Sequence, residues 1–149
     1  IFSGGFPRQD NSRAHIEAAQ QIIFVATKEM EELAEQTSTA PLIVCDRGTV
    51  DASVYWPDGP EAFFAHMGTS LEAELARYDA VLHLSPPSNP AFYQSTHVRT
   101  ETLDKAFEID RKILKMWEKH PNRLVVGGTE HFFEKAEAIK NFVEKIIKG

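Results

Sequence analysis

Residues 12–36 alternate apolar and polar side chains with the period of an α-helix. The apolar positions recur three or four residues apart, at Ile16, Ala19, Ile22, Ile23, Ala26, Met30, Leu33 and Ala34. Asn11 or Ser12 can cap the N-terminus of this segment, and the polar residues 37–39 end it. The pattern therefore predicts an amphipathic helix from Ser12 to about Gln36.

Three shorter apolar runs lack a helical period. The first, PLIVC at 41–45, is followed by Asp46, and the others lie at 80–84 and 124–126. Short continuous runs of this kind are typical of strands that are buried on both faces, as in parallel sheets. We therefore predict three parallel strands, at 41–46, 80–84 and 124–126.

Helical patterns separate and follow these strands. They lie at 61–66, 70–77, 99–119 and 130–148, with Pro121 closing the third of them. Alternating strands and helices indicate an α/β doubly wound domain, in which functional residues follow the carboxyl ends of the strands. Because there is neither an internal repeat nor a linker, one domain over residues 1–149 is expected.

The segment SPPSNPAFYQSTHV, residues 85–98, carries three prolines and no apolar period. We expect an exposed binding loop, with a lid region at about 85–100. Arg99 begins the next helix, where a cation opposes the helix dipole, so an anionic ligand is expected there. Asp110 lies on the apolar line of the same helix, and both a structural and a functional role are open for it.

Composition narrows the class of protein. A single cysteine, Cys45, excludes an internal disulfide and favours a reducing, cytoplasmic location. No apolar run approaches the ~20 residues that span a bilayer, so no membrane partner is expected. The net charge of −6 argues against nucleic acid as a partner, although a few arginines can still hold a small phosphate ligand. Oligomerisation stays open.

The pair Asp46-Arg47 is the first candidate site because it follows a predicted buried strand. An acid at that position can order a metal-bound water or accept a hydroxyl proton, and an arginine can grip phosphate. Gly48 follows, and Thr49 can cap the next helix. The alternative is a surface ion pair at a strand end, but the position favours a site.

Two further residues are weaker candidates for substrate binding. Arg8 lies on the rigid turn GGFPRQ and can reach an anion, although a solvated loop arginine is commoner. Tyr55 belongs to an aromatic group that can stack on a base but more often forms core, with Trp56, Phe63 and Phe64. The six histidines lack the spacing and supporting ligands of a zinc site, so none is expected.

Three stretches in this order resemble the NadR-like AAA family of P-loop ATPases. They are LIVCDRGTVDASVYW, ELARYDAVLHL and HVRTETLDKAFEIDRKILKMWEKHP, and a short closing strand follows them. The family is related to nicotinamide riboside kinase domains and, more distantly, to thymidylate kinases. The resemblance covers nearly the whole chain from Gly5 onward and implies a three-layer α/β/α P-loop kinase-type parallel sheet.

The resemblance also implies roles for individual residues. Asp46 corresponds to the acid that supports Mg²⁺, its water or the acceptor hydroxyl, and Arg47 is similar to a contact for substrate phosphate or sugar. Arg99 resembles the lid arginine that closes over the transferring phosphates, which makes Asp46 and Arg99 the candidate catalytic residues. Asp110 matches a recurring family position to which we assign no role.

Members of this family begin with a strand and a G-x-x-x-x-G-K-[ST] phosphate loop, and no such motif occurs in residues 1–149. We expect the sequence to begin late, so that this strand and the phosphate loop are missing from it. The alternative is a degenerate chain without nucleotide hydrolysis.

The resemblance implies a nucleotide-binding P-loop NTPase, with small-molecule kinase activity as the main hypothesis. Such a kinase transfers a phosphoryl group from Mg²⁺-bound ATP or GTP to a nucleoside-type acceptor. The alternatives are a nucleotide-binding regulatory switch with little or no transfer activity, and a plain α/β domain with a structural Asp-Arg pair.

Overall fold

The computed structural model describes residues 12–86, 103–127 and 132–148. The chain divides into two compact units, residues 1–77 and 78–149, which are described one at a time.

The first unit is built from helices. Helix α1 spans Arg13–Thr37, a 3₁₀ helix spans Thr49–Tyr55, α2 spans Pro60–Met67 and the short α3 spans Leu71–Leu75. Both α1 and α2 pack against the 3₁₀ helix, which therefore lies at the centre of the unit. The two helices predicted after Pro57 are confirmed to within two residues at each end.

Helix α1 begins and ends as its sequence predicts. The hydroxyl of Ser12 accepts a hydrogen bond from the backbone N–H of His15 at 3.4 Å. At the other end, the N–H of Ser38 donates to the carbonyl of Ala34 at 2.8 Å. An N-cap of this kind satisfies one of the backbone donors that a helix leaves unpaired in its first turn.

The core of the first unit is aromatic. Phe63 is fully buried, and the rings of Phe24, Trp56 and Phe64 meet it edge to face at centroid distances of 5.5, 5.4 and 5.4 Å. This is the geometry that the quadrupoles of aromatic rings favour. The core interpretation of the predicted aromatic group is thus confirmed for Trp56, Phe63 and Phe64.

The predicted strand at 41–46 is wrong. Residues 41–45 form no strand, and Val44 is 82% exposed rather than buried on both faces. A strand needs a partner for its backbone N–H and C=O groups, and no described residue pairs with this segment as a ladder. An apolar run alone does not supply that partner.

The second unit contains a parallel βαβ arrangement. Strand β1 spans Val81–Leu84, helix α4 spans Leu103–Met116, strand β2 spans Arg123–Val126 and helix α5 spans Phe132–Lys148. The strands pair in parallel from Val81↔Arg123 to Leu84↔Val126. The predicted strands at 80–84 and 124–126 are therefore confirmed, and helices were expected where α4 and α5 lie. In the described ranges the sheet has two strands, not the predicted three.

A buried histidine links the segments that enter the two strands. The ring of His120, 6% exposed, lies 2.8 Å from the carbonyl oxygen of Tyr78 through Nε2. Its Nδ1 accepts from the N–H of Asn122 at 3.2 Å, and the carbonyl of Asn122 then accepts from the N–H of Val81 at 3.0 Å. The imidazole thus fixes the approach of β1 to β2.

None of the helices in the described part of the chain is both long enough and apolar enough to cross a bilayer.

Candidate functional site

The loop Asp46-Arg47-Gly48, called the DRG loop below, joins the apolar segment 41–45 to the 3₁₀ helix. Asp46 and Arg47 are both exposed. No described residue forms an ion pair or hydrogen bond with the Asp46 carboxylate, so its oxygens face solvent and can accept a ligand. The two predicted site residues are therefore adjacent and accessible, although no strand precedes them.

Arg47 adopts a backbone conformation that is unfavourable for a residue with a side chain. Its φ is 82°, and it is the only non-glycine residue with positive φ in the described ranges. The left-handed region costs an L-residue about 1–2 kcal/mol. Strain of this size persists where neighbouring contacts hold the backbone, and it concentrates at functional loops.

The side chain of Arg47 is weakly engaged. Its Nη1 lies 3.4 Å from Oδ2 of Asp51, and 67% of the side chain is exposed. An exposed pair at four-residue spacing contributes at most a few tenths of a kcal/mol. The guanidinium is therefore available to an anionic ligand such as a phosphate, which it can bind through two parallel N–H donors.

The residue after the loop is fixed by a buried hydrogen bond. Thr49 is 1% exposed, and its hydroxyl donates to Oε2 of Glu74 at 2.8 Å. The hydroxyl of Thr69 donates to the other oxygen of the same carboxylate at 2.7 Å. The predicted capping role of Thr49 is wrong, because Gly48 occupies the N-cap position and the threonine side chain turns to Glu74 instead.

Arg77 connects this carboxylate to helix α1. Its Nη2 donates to Oε2 of Glu31 at 2.9 Å, and its Nε lies 3.7 Å from Oε2 of Glu74. Its Nη1 is 3.6 Å from Oε1 of the more exposed Glu32. Because Glu31 and Glu74 are only 8% and 3% exposed, water solvates their carboxylates poorly. The guanidinium of Arg77 provides the compensating positive charge. We call Glu31, Glu74 and Arg77 the Arg77 cluster.

Cys45, the residue before the loop, is attached to the same cluster. The residue as a whole is exposed, yet its thiol is partly withdrawn from solvent and lies near the Glu31 carboxylate. Partial burial, followed by the Glu31 carboxylate, raises the pKa of the thiol. Cys45 is therefore a poor nucleophile.

Tyr55 is the aromatic candidate that remains accessible. It is 41% exposed at the end of the 3₁₀ helix, whereas the neighbouring Trp56 is 7% exposed. A partly exposed aromatic ring of this kind can stack on a base or sugar. Arg8 and Arg99 lie outside the described residues.

Asp110 has a defined structural partner. Its Oδ1 lies 2.7 Å from Nε2 of His83, and the two side chains are 11% and 9% exposed. The bond ties helix α4 to strand β1 in the second unit. The structural interpretation of Asp110, a pairing with a basic residue in the core, is therefore the one the contacts favour.

The residues present fit a Mg²⁺ ion that is bound mainly by nucleotide phosphates. In the described ranges no three carboxylate, histidine or cysteine groups converge as a closed metal site. Mg²⁺ usually keeps several waters and takes one or two carboxylates together with substrate phosphates. The solvent-facing carboxylate of Asp46 meets that requirement, directly or through a bound water.

The Arg77 cluster was not foreseen from the sequence, although one signal for it exists. Glu31 lies seven residues after Phe24 and eleven after Gln20, on the buried side of α1. An acid on a buried face needs a partner. The sequence does not show which basic residue provides it, because Arg77 is 46 positions away.

Comparison with known proteins assigns the family. Residues 3–135 match the family model of an AAA domain, and this range includes the DRG loop and reaches into the second unit as far as residue 135. No curated protein and no solved structure matched the chain. The solvent-facing Asp46 and the accessible Arg47 are of the types that a nucleotide phosphate site uses. The chain therefore belongs to the AAA domain family and is, at this level, a nucleotide-binding P-loop NTPase.

Proposed function

We propose that this AAA domain protein is a small-molecule kinase of the NadR-like type. It transfers a phosphoryl group from Mg²⁺-bound ATP or GTP to a nucleoside-type acceptor. The observation that carries the proposal is the DRG loop, in which an acid and an arginine are both exposed on a strained backbone. Backbone strain of this kind is concentrated at active sites and ligand-binding loops.

The roles of the loop residues follow from their chemistry. The carboxylate of Asp46 faces solvent, so it accepts the proton of the acceptor hydroxyl or would help to hold Mg²⁺ through a bound water. Arg47 binds phosphate or sugar oxygens with its guanidinium, and the exposed ring of Tyr55 stacks on the acceptor. When bound, Mg²⁺ neutralises charge on the phosphate oxygens.

Arg8 and Arg99 are proposed as further cations for the reaction. Phosphoryl transfer needs positive charge around three equatorial oxygens, and one arginine does not surround them. We assign Arg99 to the transferring phosphate and Arg8 to the substrate. The same proposal includes the three-layer α/β/α sheet, of which β1 and β2 would form two neighbouring strands.

The experiment measures γ-phosphate transfer by the full gene product to a panel of nucleosides, with Mg²⁺ and either ATP or GTP. Asp46→Asn should lower kcat by about 100-fold or more, as expected for loss of a general base. The matched control is Asp79→Asn, which makes the same change at another exposed aspartate. Unchanged transfer in Asp46→Asn would refute the assigned role.

The same transfer assay distinguishes the kinase from a second candidate function, a nucleotide-binding regulatory switch. If the protein binds nucleotide but transfers no phosphate to any acceptor, the regulatory switch replaces the kinase as the conclusion. Equal activity toward nucleosides and single-stranded nucleic acid would contradict the proposed small-molecule acceptor, which the net charge of −6 favours.

A further inference from the structure

Residues on both sides of the DRG loop lie against a single buried group of charges. On one side, the Glu31 carboxylate lies close enough to the Cys45 thiol to contribute to its raised pKa. On the other, the hydroxyl of Thr49 donates to Glu74 at 2.8 Å. Arg77 lies between the two carboxylates: its Nη2 hydrogen-bonds to Glu31 at 2.9 Å, and its Nε is 3.7 Å from Glu74, beyond hydrogen-bond distance. The same group of charges therefore contacts both flanks of the loop.

We propose that Arg77 is a positioning residue that sets the conformation of the DRG loop and thereby the place of the Asp46 carboxylate. The three loop residues have no regular secondary structure, so their position depends on how residues 45 and 49 are held. The catalytic part of this inference rests on the proposed kinase function. The anchoring part does not.

The strained backbone explains why two anchors are needed. With φ of 82°, Arg47 would relax to negative φ if either end of the loop were released. Such a change reorients the adjoining peptide groups and moves the neighbouring aspartate. Because Glu31 and Glu74 are buried, water does not replace the arginine between them.

The position also requires an arginine rather than a lysine. The guanidinium hydrogen-bonds to Glu31 through Nη2 at 2.9 Å, and its Nε and Nη1 lie at ion-pair distances of 3.7 Å from Glu74 and 3.6 Å from Glu32. A planar fork presents donors in several fixed directions, whereas an ammonium is a single point charge. Arg77→Lys keeps the charge and should lose the simultaneous contact with both buried carboxylates.

The first test measures amide hydrogen exchange over residues 45–50 in the full gene product without nucleotide. Thr49→Val removes the hydroxyl and preserves the shape of the side chain, and we expect exchange in this segment to rise by about tenfold. Thr49→Ser restores the hydroxyl and should return exchange to the wild-type rate. Unchanged exchange in Thr49→Val would overturn the inference.

Thr69→Val is the matched control, because Thr69 donates to the same Glu74 carboxylate but lies outside the loop. It removes a comparable bond, so any loss of stability should be similar while exchange at 45–50 stays close to wild type. Arg77→Lys is the second loop variant and should reproduce the effect of Thr49→Val. Equal loop exchange in the Thr69 and Thr49 variants would show a general loosening and refute a specific anchor.

The second test compares kcat and KM for phosphoryl transfer in the same variants. A misplaced Asp46 should lower kcat by at least about tenfold in Thr49→Val and Arg77→Lys, with KM for nucleotide within about twofold. Thr49→Ser should restore kcat. A rise in loop exchange with unchanged kcat would refute the positioning role, since the loop would then move without consequence for the reaction.

Failure of the two proposals gives different results. If the wild-type protein transfers no phosphate, but the exchange pattern follows the hydroxyl at position 49, the kinase proposal fails and the anchor stands. If phosphate transfer occurs and depends on Asp46, but amide exchange at residues 45–50 is unchanged in the Thr49 and Arg77 variants, the anchor fails and the kinase proposal stands.

Discussion

Replacing Arg47 by glycine should stabilise the protein while removing a substrate contact. The φ of 82° costs a residue with a Cβ about 1–2 kcal/mol, which glycine does not incur. Glycine in turn loses about 0.5–1 kcal/mol through the greater freedom of its unfolded chain. The comparison variant is Arg47→Ala, which removes the same side chain and retains the unfavourable backbone.

The difference between the two variants isolates the backbone contribution. Both lose the exposed 3.4 Å contact to Asp51, so its small contribution cancels. We expect Arg47→Gly to be more stable than Arg47→Ala by about 0.5–1 kcal/mol. Urea denaturation measures this difference directly as a shift in midpoint at constant slope.

Activity provides the second half of the comparison. Arg47→Ala and Arg47→Gly should both raise KM, because both lack the guanidinium. If the glycine variant is no more stable than the alanine variant, the backbone strain at this position is refuted. The argument that neighbouring contacts hold residue 47 at an unfavourable positive φ is then refuted as well.

Three further predictions concern single side chains. His120→Ala should lower the free energy of unfolding by about 1–2 kcal/mol, because it removes the hydrogen bonds of the imidazole to the Tyr78 carbonyl and the Asn122 N–H; a loss below about 0.5 kcal/mol in urea denaturation contradicts this. Cys45 should react with iodoacetamide at pH 8 more slowly than in the urea-unfolded chain, since its raised pKa reduces the thiolate fraction. Glu108 should titrate at a pKa of about 2 by NMR, because Lys105 and Lys112 hydrogen-bond to its carboxylate, and the double alanine variant should return it toward 4.5. Its lowered pKa means that the stabilisation is complete above the ordinary pKa and is lost as pH falls toward 2; an unchanged pKa in the double variant refutes the assignment.

The helices were predicted well because their signals are local. Helix α1 carries its cap at Ser12 and its apolar period within the segment itself, and its observed bounds differ from the prediction by one residue. Strands β1 and β2 were also found, as short apolar runs between polar loops. The helices therefore need no information from distant parts of the chain, whereas β1 and β2 also depend on their pairing with each other.

The segment 41–46 shows that local sequence alone does not determine whether a strand forms. Its composition is that of β1, yet it forms no ladder and leaves Val44 exposed. Whether an apolar run becomes a strand depends on a partner backbone, and the run does not specify one. The candidate site behaves in the same way: Asp46 and Arg47 were proposed from the sequence, but the buried contacts beside them were not. Thr49 bonds a carboxylate 25 positions away.

The parallel pairing of β1 with β2 has a consequence for how the protein folds. Paired residues such as Val81 and Arg123 are 42 positions apart, so no hairpin turn can bring the strands together. Closing a flexible loop of that length costs about 3 kcal/mol in chain entropy, and this cost is incurred before any hydrogen bond between the strands forms. The first unit is built largely from helices and has no such step. The second unit should therefore form its sheet late, with helix α4 in place first to shorten the connection, and β1 and β2 should carry low φ-values in folding kinetics.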